Sequence, residues 1–132
     1  MDGLSTTVTC PECGHEFAVA GAGNTNGFAE VEYATYKYSG KRYDLVSCEC
    51  PGCRRRVFVQ ADDARTRGIL KSATSVVYQA RRSDAKKKRV LSEKYRVYVT
   101  QLREERGKLM RLLGGKTVKD EQGNGVEVVF SA

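Results

Sequence analysis

Cys-Pro-x-Cys occurs twice in this chain, as Cys10-Pro11-Glu12-Cys13 within TCPECGHEFAV and as Cys50-Pro51-Gly52-Cys53 within ECPGCRRRVFV. No other feature restricts the fold as much. Two cysteines separated by two residues point into one metal when the backbone between them turns tightly, and proline at the first intervening position presets φ for that turn. Two such knuckles supply a tetrahedral shell of four sulfurs, a ligand set suited to Zn²⁺. Each knuckle leads into a strand-like stretch, with Phe17 lying over Val57 and Val19 over Val59 when the phrases are aligned.

The chain has five cysteines, all in its first half. An odd number at Cys-x-x-Cys spacing, in a reducing compartment, favours metal over disulfides. The alignment puts Cys48 over Val8, on the strand leading into the knuckle, and leaves Cys10, Cys13, Cys50 and Cys53 as ligands. A rival set takes Cys48 with Cys53 and frees Cys50; the commoner zinc spacing favours the symmetric set. His15 lies over Arg55 and reads as a solvated side chain rather than a ligand.

These residues resemble the zinc-ribbon superfamily, whose members pair two Cys-Pro-x-Cys-like knuckles, each leading into a β-strand. The resemblance covers about residues 8–60 and implies an antiparallel β module around one structural Zn²⁺. It implies a fold and no single function, because zinc ribbons serve in transcription factors, polymerase subunits, ribosomal proteins and viral proteins. Arg54 stands where ribbons often keep a glycine such as Gly14, and 36 residues separate Cys13 from Cys50.

A β segment of this size buries too little apolar surface to fold unaided, whereas structural zinc contributes on the order of 10 kcal/mol of apparent folding energy. Four thiolates also close the shell, and catalytic zinc needs an open position. With one histidine in the chain, acid–base and nucleophilic machinery is scarce. No catalytic residue is assigned, and the chain reads as a protein that is not an enzyme.

The expected class is α+β in three segments: a zinc-ribbon β domain over 1–60, a basic helical hairpin over 61–113, and a C-terminal turn and strand over 114–132. GAGNTNG at 21–27 reads as a loop, and FAEVEYATYKYSGKRYDLVS as a hairpin turning at Ser39-Gly40. Asp62 or Asp63 can cap a first helix; Ser83 or Asp84 can cap a second, which Gly114-Gly115 can stop. Along the second helix Leu91, Tyr95, Tyr98, Leu102, Glu105, Leu109 and Leu112 follow a heptad seam flawed at Glu105. That seam packs on the first helix or on a second copy of the chain; the hairpin is preferred because three heptads is a short coiled coil. GVEVVF can pair with residues 116–119 or add an edge strand to the N-terminal sheet.

Charge divides the chain. Residues 1–60 hold 6 basic and 7 acidic side chains, and residues 61–132 hold 17 and 9. RRSDAKKKR at 81–89 lies at the junction of the helices, and residues 85–116 hold 11 basic against 3 acidic groups. Pairs such as those of Glu93, Glu104 and Glu105 with helical neighbours cannot neutralise that excess, so a polyanionic partner is expected. Arg89, Arg96 and Arg103 form one stripe at intervals of about 10 Å. Lys37, Lys41 and Arg42 lie beside Tyr36, Tyr38 and Tyr43, cations for phosphate and rings for stacking, although alternation puts about half of those tyrosines in the packed face.

The reading is therefore a small zinc-ribbon protein binding nucleic acid, or a nucleic-acid machine, chiefly through backbone phosphates. The contacts fall to Arg54, Arg55, Arg56, Arg82, Lys86, Lys87, Lys88, Arg89, Arg96 and Arg103, with DNA and RNA not distinguished. The alternative is a structural component of a virion or ribosome-like particle, held by its helical arm and zinc head. A homo-oligomer would use Leu91, Tyr95, Tyr98, Leu102, Leu109 and Leu112. No apolar run reaches bilayer length and the start lacks a secretory signal, so a cytoplasmic, non-membrane location is expected, with a virion as the other setting.

Overall fold

In the computed structural model the described residues are 6–19 and 30–131, and the expected loop at 21–27 lies outside them. The elements are β1 (Thr6–Thr9), β2 (Glu16–Val19), β3 (Val31–Tyr38), β4 (Lys41–Glu49), β5 (Arg56–Asp62), α1 (Ala64–Arg81), α2 (Ala85–Leu113), β6 (Thr117–Lys119) and β7 (Gly125–Glu127). The architecture is α+β with two antiparallel sheets. Two compact units divide the chain: one runs to Ala61 and resumes at Met110, and the other is Asp62–Leu109.

In the β unit, β1 and β2 pair antiparallel, closing on Thr9↔Glu16 beside the first knuckle. The second sheet has the order β5-β4-β3-β6-β7. β3 and β4 pair from Val31↔Cys48 to Tyr38↔Lys41, joined at Ser39-Gly40, whose φ values of 50° and 77° give the left-handed pair that suits strand twist in a tight hairpin. Both options open to the C-terminal segment are realised. β7 pairs with β6, and β6 meets β3 at Lys37↔Lys119. Beyond β7, Phe130 bridges Phe58 in parallel: the Phe58 N–H donates to the Val129 carbonyl (2.8 Å), and the Ser131 N–H to the Phe58 carbonyl (3.0 Å). The Thr9 N–H donates to the Ser131 hydroxyl at 3.2 Å, which ties the C-terminal segment to β1 as well.

Phe58 is fully buried and meets Tyr36 and Phe130 edge-on, at centroid distances of 5.9 and 6.3 Å. Tyr36 and Tyr43 are buried and Tyr38 half-buried, so the rings expected to offer stacking faces are spent largely on the core. Burying such rings stabilises by roughly 2–3 kcal/mol each, more than an exposed stacking face contributes to an unliganded fold. The outward ring on this hairpin is that of Tyr33.

In the helical unit Asp63 caps α1. Its carboxylate accepts from the Thr66 N–H (2.9 Å), and the Thr66 hydroxyl accepts from the Asp63 N–H (2.8 Å), a reciprocal capping box. Asp62, the other candidate cap, instead receives two bonds from Arg106, at 2.7 and 3.2 Å, with both side chains largely buried. Asp84 caps α2 by accepting from the Lys87 N–H at 2.8 Å. Glu105, the flaw in the seam, binds Arg65 (3.1 Å) and Lys108 (3.3 Å). The start of α1 thus meets residues 105–106 of α2 while its end joins the start of α2, so the two helices run antiparallel.

Leu91, Leu102 and Leu109 are buried, and Tyr98 is half-buried. The heptad register fails at its end: Leu112 is 44% exposed and Leu113 fully buried. A straight helix drifts by ~20° per heptad, so its buried stripe follows steps of 11 residues rather than sevens, and Leu91, Leu102 and Leu113 are spaced that way. Gly115, at φ 79°, takes the left-handed position past the helix end and donates its N–H to the Val128 carbonyl at 2.8 Å. Among the described residues no helix is long and apolar enough to cross a membrane.

Candidate metal centre and basic surface

The two knuckles have the same backbone wiring. In the first, the Cys10 N–H donates to the His15 carbonyl (2.9 Å) and the Gly14 N–H to the Cys10 carbonyl (2.8 Å); in the second, Cys50 donates to Arg55 and Arg54 to Cys50, both at 2.8 Å. The first caps the β1–β2 hairpin and the second joins β4 to β5. Both turns need a left-handed residue four places after the first cysteine: Gly14 has φ 75° and Arg54 φ 67°. The departure at Arg54 changes the residue and not the conformation, at a cost of roughly 1 kcal/mol for an L side chain there.

The turns bring together the sulfurs of Cys10, Cys13, Cys50 and Cys53, all within 4.8 Å of one another. Cys10 and Cys53 are 3.6 Å apart, as are Cys13 and Cys50. A disulfide would need about 2.05 Å. A tetrahedron with metal–sulfur bonds of about 2.3 Å has edges of about 3.8 Å. The four cysteines can therefore hold one metal ion.

Ionisation within the cluster is uneven. Hydrogen bonding from the Cys13 backbone N–H, with help from that of Glu12, outweighs desolvation and lowers the Cys10 thiol to about 7. At Cys13 the backbone N–H of His15 acts to lower the thiol, but desolvation and the thiols of Cys50, Cys53 and Cys10 push it up to about 12. Cys53 behaves alike: the Arg55 backbone N–H lowers it, while desolvation and Cys10 prevail and raise it. Four thiols this close do not all ionise without a cation between them, and a bound metal supplies that charge.

Cys48 lies outside the cluster. It is buried with Val8, Cys10, Val19, Cys50 and Val57, and its thiol lies 3.7 Å from the Val57 carbonyl. Burial raises its thiol, Arg56 opposing. His15 supplies no ligand either; its ring stacks on Phe17 at 6.0 Å. The sequence reading missed a second contact of His15: a Cβ on Gly52 would sit 3.3 Å from the His15 ring and 3.6 Å from the Cys13 sulfur. This close approach favours glycine in the second knuckle where the first has Glu12, since a Cβ there would need the His15 ring to shift by a few tenths of an ångström. The signal in the sequence is the one mismatch between the two Cys-Pro-x-Cys tetrads, Glu12 against Gly52.

The ten cations expected to contact phosphate are all exposed, but they fall into two kinds. Arg54 pairs with Glu49 (3.7 Å), Arg55 with Glu12 (4.0 Å), and Arg56 with Glu32 (3.0 Å) while donating to the Ser47 hydroxyl (2.9 Å). Arg82, Lys86, Lys87, Lys88, Arg89, Arg96 and Arg103 form no ion pair among the described residues. Arg89, Arg96 and Arg103 lie in the one continuous helix α2, whereas Arg82 is the cap residue ending α1. No protein-family model, curated protein or solved structure matches the chain.

Proposed function

We propose that this chain is a small zinc-ribbon protein that binds nucleic acid, or a nucleic-acid machine, through phosphate contacts made by its basic helical arm. Zn²⁺ is the metal that best suits four thiolates in a closed shell, and its role is structural: Cys10, Cys13, Cys50 and Cys53 leave no position for substrate. The observation that carries the reading is the set of seven exposed cations of the helical unit, six on α2 and Arg82 at the end of α1, that form no ion pair among the described residues. Held close together, such charges repel one another, and a polyanion relieves that repulsion. Arg54, Arg55 and Arg56 contribute less, because each already faces a carboxylate.

The test is binding of the zinc-loaded protein to a short duplex and to a single strand across a salt series. The slope of log K against log salt counts phosphate contacts, at about 0.9 per contact for duplex and 0.7 for single strands. Lys87→Glu, Lys88→Glu and Arg89→Glu together should lower that slope by about 1 per lost contact and leave the fold intact. An unchanged slope removes the helical arm from the interface.

A second reading, a structural component of a larger assembly, draws on Leu70, Val90 and Val97, large apolar side chains exposed on the helices. Light scattering separates the two, since an assembly component self-associates when purified alone and a regulator does not.

A further inference from the structure

Between α1 and α2, within the helical unit, lies a groove of about 420 Å³ whose apolar walls the nucleic-acid reading does not require, although its rim shares Lys88 and Arg96 with the proposed phosphate contacts. Its walls are Val76, Val77 and Ala80 from α1 with Leu91 and Tyr95 from α2. Three cations, Arg81, Lys88 and Arg96, line it too, and no carboxylate does. None of the three has an ion-pair partner among the described residues. The Arg81 guanidinium lies 5.7 Å over the ring of Tyr78, which is 59% exposed; Tyr95 is 40% exposed. The unit therefore presents an aliphatic trough with the ring of Tyr95 in one wall and a positive rim.

We propose that this groove receives an amphipathic helix of a protein partner, with large apolar side chains on the face that enters it and Asp or Glu on the flanks. Two antiparallel helices leave a groove into which the ridges of a third can pack, and such a helix is read through side chains at i, i+3 or i+4, and i+7. Charge selects acidic flanks. A second copy of the chain is the wrong occupant, because residues 62–109 hold 14 Lys or Arg against 6 Asp or Glu and would bring like charge to the rim. A nucleobase is also a poor fit: apart from the cations, the polar edges of a base would find only the Ser92 and Tyr95 hydroxyls among the lining side chains.

The experiment is fluorescence anisotropy of the full zinc-loaded chain with a labelled synthetic helix of about 16 residues, leucine at i, i+3, i+7 and glutamate elsewhere. A second peptide has the same composition in scrambled order. The ordered peptide should bind at micromolar concentration and at least about tenfold more tightly than the scrambled one. Ala80→Gln, which puts an amide into the trough without changing charge, and Arg81→Glu, on the exposed rim, should each weaken it by about fivefold or more. Ala80→Gln should leave affinity for a short oligonucleotide unchanged.

Equal binding of both peptides, no binding, or indifference to both substitutions overturns the proposal. So does an oligonucleotide that Ala80→Gln weakens as much as the peptide, which would assign the groove to nucleic acid. Peptide binding that persists in a chain with no affinity for oligonucleotides supports the groove and defeats only the nucleic-acid reading.

Discussion

In the β unit, Arg54, Arg55 and Arg56 each face a glutamate, and four cysteine sulfurs converge on one point. In the helical unit, Arg82, Lys86–Arg89, Arg96 and Arg103 face no carboxylate among the described residues, and order comes from capped helix starts, buried leucines and the Asp62–Arg106 pair. One unit pairs the three arginines beside its cysteines and gathers its unusual chemistry into a cluster that can hold a metal ion. The other tolerates repulsion that its own fold does not relieve. Where a chain departs from local self-consistency, function is the usual reason, and that is the ground on which the helical arm, and not the arginine run beside the cysteine cluster, is proposed to meet a polyanionic partner.

The largest effect that divides the two units is removal of metal. Chelation, or Cys50→Ser in one ligand, should unfold the β unit, because a structural metal held by four thiolates contributes on the order of 10 kcal/mol of apparent folding energy. The helical signal in far-ultraviolet circular dichroism should largely survive, while the dispersed β amide resonances collapse. Loss of both together would mean that the helical unit depends on the metal as much as the β unit does. Cys48→Ala is the matched control: it removes a buried thiol, costs about 1–2 kcal/mol by lost packing, and should leave one metal per chain. A chain that loses its metal on that substitution would make Cys48 a ligand after all.

Within the helical unit the corresponding bond is Asp62–Arg106. Arg106→Met keeps the length of the side chain and removes the two hydrogen bonds that Arg106 gives a largely buried carboxylate, for an expected loss of about 2–3 kcal/mol in thermal or urea unfolding. Loss of Arg65→Met, an exposed partner of Glu105, should cost less than about 1 kcal/mol. Equal costs would mean that the unit rests on its surface charges rather than on this buried pair.

What the sequence reveals follows the same division. Signals confined to a few residues are legible: the doubled Cys-Pro-x-Cys, the Ser39-Gly40 turn, the caps at Asp63 and Asp84, and the stop at Gly114-Gly115. Each expresses a local constraint on φ, on an orphan N–H or on ligand spacing. Distant pairings leave no such mark. Arg106 finds Asp62 across 44 residues, and nothing near Phe130 says that it will bridge Phe58. The heptad reading chose Leu112 over Leu113 because a period of seven and one of 3.6 agree over two turns and part over six. Tyr36 and Tyr43 went unassigned for a related reason: alternation shows that a strand has two faces, and only the rest of the fold decides which is covered.

The smallest effect tests the two knuckles against each other. They share one hydrogen-bond pattern and one left-handed position, filled by glycine in the first and arginine in the second. Gly14→Ala puts a Cβ into open space, since nothing lies within 4 Å of it. Its cost is then the backbone term alone, about 1 kcal/mol, partly offset by a less flexible unfolded chain. Arg54→Gly is the reverse change and should stabilise the metal-loaded protein by a few tenths to about 1 kcal/mol, less the weak exposed pair with Glu49. Opposite signs in the two melting temperatures would establish the knuckles as conformational copies. A loss at Arg54→Gly would instead mean that the arginine side chain does something its exposed position beside Glu49 does not account for.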